Sequence, residues 1–181
     1  MTRREILKTM LLLGAQTFIP LLDTYADASP MKSRCSGKLS LHNQHTGESL
    51  DLRYLDKKGR FDKNACQQLN RFFRCHYDGG VHQIDPKLFM LLDSVRCQLG
   101  AAGRPYSLIS GYRSPCYNRL RCSEDGSVAR HSYHIRGMAA DIGMEGVALR
   151  DIAKAAKRLK AGGVGRYADF VHLDVGPVRT W

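Results

Sequence analysis

Apolar residues alternate with polar ones at Leu39 and Leu41, and again at Leu50, Leu52 and Tyr54. Period-two runs on either side of a polar, Gly-containing stretch, His42–Glu48, predict a β-hairpin. The pattern then changes. Ala65, Leu69, Phe72 and Phe73 recur at helical spacing behind Asp62, which can cap a helix running to about Tyr77, and Asp78-Gly79-Gly80 stops it. Asp85-Pro86 opens a second helix with the stripe Leu88, Leu91, Leu92, Val95 and Leu99, closed by Gly100. Tyr106–Ser110 reads as a short strand running into the turn Gly111-Tyr112-Arg113-Ser114-Pro115, and Met138–Met144 as another. Gly146 precedes a helix with the stripe Leu149, Ile152, Ala153, Ala156 and Leu159, which Gly162-Gly163 ends. Finally Val171, Leu173 and Val175 alternate with Phe170, His172 and Asp174, so His172 and Asp174 face the same way from one strand. The helices read as scaffold, and the polar positions at strand ends as chemistry.

Residues 1–28 stand apart from this pattern. Arg3-Arg4 sits in a charged start, Thr9 to Leu22 is mostly apolar, and Ala26-Asp27-Ala28 is a small-residue cleavage site. The apolar stretch is shorter than the roughly 20 residues of a membrane helix. It reads as a removable signal, and Arg3-Arg4 followed by Ile6-Leu7-Lys8 resembles the twin-arginine type, which exports folded proteins. Residues 29–181 then form a single domain, with no stable membrane span after cleavage.

Export changes the reading of charge and cysteine content. The net charge is +11, and the signal contributes none of it, because Arg3, Arg4 and Lys8 balance Glu5, Asp23 and Asp27. A cationic domain suits a cell-wall polymer, a membrane surface or nucleic acid; export argues against nucleic acid. The six cysteines, Cys35, Cys66, Cys75, Cys97, Cys116 and Cys122, are an even number in an exported chain and suggest disulfides, with Cys116–Cys122 across one loop as the first pair. No C-x-x-C spacing occurs, which disfavours a thioredoxin-type site or a zinc ribbon.

Candidate chemistry gathers in Ser132-Tyr133-His134-Ile135-Arg136-Gly137-Met138-Ala139-Ala140-Asp141. An imidazole and a carboxylate, His134 and Asp141, meet if the chain turns at Gly137, and His172 offers a third ligand. Two His and one Asp with a fourth position open are the donor set of a catalytic zinc site, whereas closed structural sites use four protein ligands. Arg113, on a Gly turn at a strand end, suits a substrate carboxylate or a developing oxyanion; pairing with a structural acid is the other reading. His131 and Ser132 flank the ligand run, and Tyr112 flanks the Arg; all three are candidates for supporting the site or contacting substrate. His42 and His45 read as surface or hydrogen-bonded histidines. Taken alone, the residues support metal-assisted hydrolysis of an amide.

Ser132-x-His134-x-x-Gly137-x-Ala139-x-Asp141 resembles the zinc signature of the D,D-peptidases of the Hedgehog/D-Ala-D-Ala peptidase fold. Ser110-Gly111-Tyr112-Arg113-Ser114-Pro115, Gly162-Gly163-Val164-Gly165 and Phe170-Val171-His172-Leu173-Asp174-x-Gly176-Pro177-x-Arg179-x-Trp181 narrow the likeness to the MepK-like (YcbK-like) murein endopeptidases. His45-Thr46-Gly47-Glu48 and Ile84-Asp85-Pro86 fit too, so the resemblance runs from about Leu39 to Trp181. It implies an α+β fold with a small antiparallel sheet flanked by helices, Zn²⁺ on His134, Asp141 and His172, and Arg113 against substrate. The implied activity is hydrolysis of peptidoglycan cross-links in the periplasm. For the general base it implies Asp169, where vancomycin-resistance dipeptidases have Glu three residues before the last zinc His; Asp174 is the rival, as base or as orienter. Two other functions share these residues: a D-Ala-releasing carboxypeptidase or dipeptidase, and a non-catalytic wall-binding module that keeps zinc for structure.

Overall fold

The computed structural model describes residues 36–126 and 128–181. The expected signal and Cys35 lie outside the described residues. The hairpin forms as Lys38–Asn43 (β1) and Ser49–Arg53 (β2), paired antiparallel. Two helices follow, Lys63–Phe72 (α1) and Pro86–Gln98 (α2). Asp62 caps the first through Ala65 N–H, and Asp85 caps the second through Lys87 N–H with Pro86 in its first turn. The first helix stops well before Tyr77. The Phe73 carbonyl is taken by Tyr112 N–H at 2.7 Å, and Cys75 N–H turns to the Gly80 carbonyl at 2.9 Å, so the chain leaves the helical path.

Tyr106–Ser110 (β3) leads to a helix, Pro115–Glu124 (α3). This corrects the expected loop between Cys116 and Cys122. Ser114 accepts from Tyr117 N–H as N-cap, and Pro115 occupies the first turn. Cys116 and Cys122 are thus about 9 Å apart along one helix axis, beyond the reach of a disulfide. Among the described residues no disulfide forms: Cys66, Cys75, Cys97, Cys116 and Cys122 are all free. Burial pushes the Cys66 thiol up to about 11.

After a short 3-10 turn, Tyr133–Arg136, come Ala139–Met144 (β4), Leu149–Leu159 (α4), Gly163–Arg166 (β5), Val171–Asp174 (β6) and Arg179–Thr180 (β7). All seven strands among the described residues join one sheet in the order β2-β1-β3-β4-β6-β5-β7. The expected small antiparallel sheet is therefore wider and mixed. β1 lies parallel to β3 and β5 parallel to β7, while the remaining pairs are antiparallel. The β1–β3 contact is parallel because the chain passes through α1 and α2 before returning beside β1; such crossovers make parallel pairs.

The core includes Leu39, Leu41, Leu69, Phe73, Leu88, Phe89, Leu92, Leu108, Ile142, Ile152, Val171 and Leu173, all nearly inaccessible to solvent. α2 also pins the hairpin by polar contacts. Buried Asp93 accepts from Ser36 Oγ, Gly37 N–H and the Tyr54 hydroxyl, and Arg96 donates to the Lys38 carbonyl at 2.7 Å. These partners offset the burial of two charges, though Arg96 Nε itself is buried without a partner.

A His-Asp-His cluster in an aromatic cleft

The register of the sheet builds the site. Ser110 pairs with Asp141 across β3–β4, Asp141 with His172 across β4–β6, and His172 with Gly165 across β6–β5. Directly opposed residues share a face, so Ser110, Asp141, His172 and Gly165 form one row. On β4 the other face, with Ala140 and Ile142, belongs to the core. Gly165 leaves a space in the row that Trp181 fills; a Cβ there would lie 2.5 Å from the indole. The indole and the His172 ring have centroids 5.4 Å apart.

His134 reaches this row from the 3-10 turn. Ser132 caps that turn, and Gly137 ends it at φ 64°, a left-handed conformation. A side chain on Gly137 would run into the Gln83 carbonyl, so both conformation and space call for glycine. The chain doubles back here, as the sequence suggests, and His134 meets Asp141.

Three donor atoms now converge. His134 Nε2 lies 3.2 Å from Asp141 Oδ1, His172 Nδ1 lies 2.8 Å from the same oxygen, and the two nitrogens are 3.2 Å apart. All three residues are buried. The opposite nitrogens are engaged. His134 Nδ1–H donates to the Gly111 carbonyl at 2.7 Å, an atom that can only accept, which leaves Nε2 bare. His172 Nε2 meets Asp174 Oδ2 at 3.1 Å. Asp174 is fully buried and fully engaged: Oδ1 accepts from Gly163 and Gly176 N–H, and Arg179 bridges both oxygens, at 2.6 Å to Oδ2. Arg179 lies over the rings of Tyr133 and Trp181.

The electrostatics follow. Burial alone would raise the Asp141 carboxyl, but the imidazoles of His134 and His172 outweigh it and hold it far below the usual carboxylate range. Burial alone would lower His172; hydrogen bonds to Asp141 and Asp174 reverse the sign and raise it. Asp174 is likewise held low against burial, by His172 and Arg179. Three lone-pair donors this close need a cation among them, a proton or a metal. Zinc ligands at about 2.0–2.1 Å in a tetrahedron are about 3.3 Å apart, close to the observed spacings. The donor types, the spacing and the engaged outer nitrogens all fit a metal ion.

Arg113 also comes to the cluster. Its guanidinium is 3.7 Å from Asp141 Oδ2 and donates to Asn118 Oδ1 at 3.3 Å, while its buried Nε has no partner. Burial weighs against its charge and Asp141 supports it.

Around the cluster lies a cleft of about 710 Å³, and His131 and Ser132 line it. Tyr112 does not: it stacks on His82 with centroids 4.7 Å apart. Asp169 is exposed on the turn closed by Tyr167 N–H to the Phe170 carbonyl, and does not line the cleft either. Several cleft residues escape the sequence patterns. His45 and His76 stack with centroids 3.8 Å apart on one wall, beside Tyr117 and Arg121, and Tyr167, Phe170 and Trp181 form another. His45, a surface histidine by its place in the hairpin turn, thus belongs to the cleft. The terminal Trp181 has a place in the resemblance, and its position over Gly165 gives it a role.

A family model described as peptidoglycan L,D-endopeptidase MepK matches residues 31–181. The chain is 44% identical over 146 residues to peptidoglycan L,D-endopeptidase MepK of Escherichia coli (strain K12), covering 79% of each. It is 37% identical over 145 residues to a probable peptidoglycan L,D-endopeptidase MepK of Haemophilus influenzae, covering 79% of this chain and 77% of that one. A crystal structure of Serratia marcescens L-Ala D-Glu endopeptidase ChiX aligns with TM-score 0.35 and 20% identity, over 53% of this chain and 68% of that one.

Proposed function

This chain belongs to the peptidoglycan L,D-endopeptidase MepK family, and from that membership we propose that it cuts peptidoglycan cross-links with a zinc ion on His134, Asp141 and His172. That it is a peptidoglycan endopeptidase rests on the family and the close relatives. The relatives are named for L,D bonds, and that is the bond expected here. Zinc and the residue roles are our assignment. The observation that carries it is the pair of imidazoles, each with its outer nitrogen engaged and its inner nitrogen aimed at Asp141 Oδ1. On the motifs that carry the resemblance, we also assign the fold to the Hedgehog/D-Ala-D-Ala peptidase group.

Zinc held there would supply a water of lowered pKa and a Lewis acid for the scissile carbonyl. The chain's own groups do the rest. Arg113 lines the cleft with its guanidinium 3.7 Å from Asp141 Oδ2 and can donate to the carbonyl oxygen as it gains charge. Asp174, fixed by Arg179, holds the proton on His172 Nε2 and so sets that ring's direction. With both oxygens engaged, Asp174 serves as orienter rather than as base. Asp169, to which the resemblance gives the transfer of the proton from water to the leaving amine, does not line the cleft, whereas His131, expected only to support the site or contact substrate, does. We assign that role to His131.

The test is a digest of purified cross-linked muropeptide dimers, followed by LC-MS. Untreated protein should convert dimers to monomers; chelator-treated protein and His172→Ala should not. Release of free D-Ala from intact dimers would replace endopeptidase action with trimming.

We further propose that residues 1–28 are a twin-arginine signal and that 29–181 act in the periplasm. The family match begins at residue 31, just after the expected cleavage site, which supports the boundary. No helix among the described residues is long and apolar enough to cross a membrane. Changing Arg3-Arg4 to Lys-Lys should stop export; normal periplasmic levels of that variant would reject the route.

A further inference from the structure

A second concave site lies on α4, across the sheet from the cleft. Arg150, Ala153, Lys154, Lys157, Arg158 and Arg166 line a groove of about 360 Å³. All but Ala153 are cationic and lie toward solvent. Residues 150, 153, 154 and 157 follow helical spacing, which puts them on one stripe with Arg158 at its edge. Arg166 comes from β5. Its neighbour Gly165 faces Trp181 and the cleft, so Arg166 points to the opposite face, where α4 packs on the strand.

Helix stability does not account for this charge. Cations help a helix only near its C-terminus, where Lys157 and Arg158 stand. Arg150 lies in the first turn, where a cation is unfavourable, and Arg150/Lys154 and Lys154/Arg158 are like charges at i, i+4. Nor do acids neutralise the stripe. Arg150 approaches Asp151 at 3.9 Å with both side chains well exposed, and no other ion pair among the described residues involves these five cations.

The groove therefore suits a ligand with several anionic groups. A bilayer is the weaker match, because stable membrane attachment of a basic patch takes a second, apolar anchor. Among the described residues the exposed large apolar side chains are Tyr77, Val81, Leu120, Tyr167, Val178 and Trp181, and none lines the groove. Peptidoglycan, by contrast, repeats free stem-peptide carboxylates along each strand.

We propose that this groove is a second peptidoglycan-binding site, holding stem-peptide carboxylates of wall that is not in the catalytic cleft. The proposal rests on the peptidoglycan reading of the cleft. Because the two sites lie on opposite faces of the sheet, the enzyme would stay on the sacculus between cuts.

The test compares wild type, Lys154→Glu/Lys157→Glu/Arg158→Glu, and the corresponding triple Gln variant, whose milder changes guard against misfolding. Binding to purified sacculi is measured by co-sedimentation with chelator present, over a range of salt. Cleavage is measured on sacculi and on soluble dimers. The Glu variant should bind sacculi at least about tenfold more weakly at low salt, with a flatter salt dependence, and the Gln variant should fall between. Both should cleave soluble dimers within about twofold of wild type. Unchanged sacculus binding overturns the proposal, as does an equal loss on dimers and sacculi. A loss of binding to anionic phospholipid vesicles with sacculus binding intact overturns it in favour of a membrane site. If wild type fails to cut dimers while the triple variants still lose sacculus binding, the endopeptidase reading falls and the groove stands.

Discussion

At the scale of single residues, function depends on what lies behind each ligand. In the proposed zinc site, His134 and His172 would present bare nitrogens to the metal because the Gly111 carbonyl and Asp174 engage their far sides. The proton carrier is the residue for which sequence and geometry diverge. The resemblance implies Asp169, but the structure keeps Asp169 on an exposed turn and puts His131 in the cleft. His131→Gln should therefore lower kcat on muropeptide dimers by about 10²–10⁴-fold, the usual worth of general acid–base catalysis. Asp169→Asn should leave it within about threefold. The reverse ranking would return the role to Asp169.

At the scale of elements, the 3-10 turn Tyr133–Arg136 delivers His134, and it depends on Gly137. Its left-handed backbone costs an L-residue about 1–2 kcal/mol, and an alanine methyl would also strike the Gln83 carbonyl. Gly137→Ala should destabilise the protein by more than about 2 kcal/mol in urea unfolding. It should also lower metal affinity, because His134 and Asp141 sit on either side of the hinge. The chain's last strand supports the site in a comparable way, since β7 brings Arg179 to Asp174 and Trp181 to Gly165.

At the scale of the whole molecule, the proposed ligands come from three parts of the chain, the 3-10 turn, β4 and β6. A metal that binds only the folded arrangement stabilises all of them together. Zinc at about 100–1,000 times its Kd should raise stability by about 3–4 kcal/mol. In calorimetry the Tm should rise with zinc and fall with chelator, and Asp141→Asn should abolish the shift. A Tm indifferent to zinc in wild type would remove the metal from this site.

Much of this architecture is legible in the sequence, because it is local. Period-two alternation marks β1, β2 and β6, and Asp-Pro and helical spacing mark α2. The donor types His134, Asp141 and His172, with a glycine where the chain must reverse, mark the candidate metal site. Such features depend on residues a few positions apart, and backbone sterics and periodicity act at that range. Ser114-Pro115 is also a local signal, a cap followed by proline, and it marks α3 where the cysteine pairing suggests a loop. Other features only the tertiary structure decides. Strand order makes the sheet mixed and puts β5 between β6 and β7. Register sets Asp141 opposite His172 and Gly165 beyond it, which lets Trp181 lie over Gly165 and line the cleft. The His45–His76 wall, Arg179 behind Asp174 and the basic groove joining α4 to Arg166 belong to the same class. Each depends on how separate elements pack, and what brings them together is the cooperative burial of one shared core, which no short stretch of sequence contains.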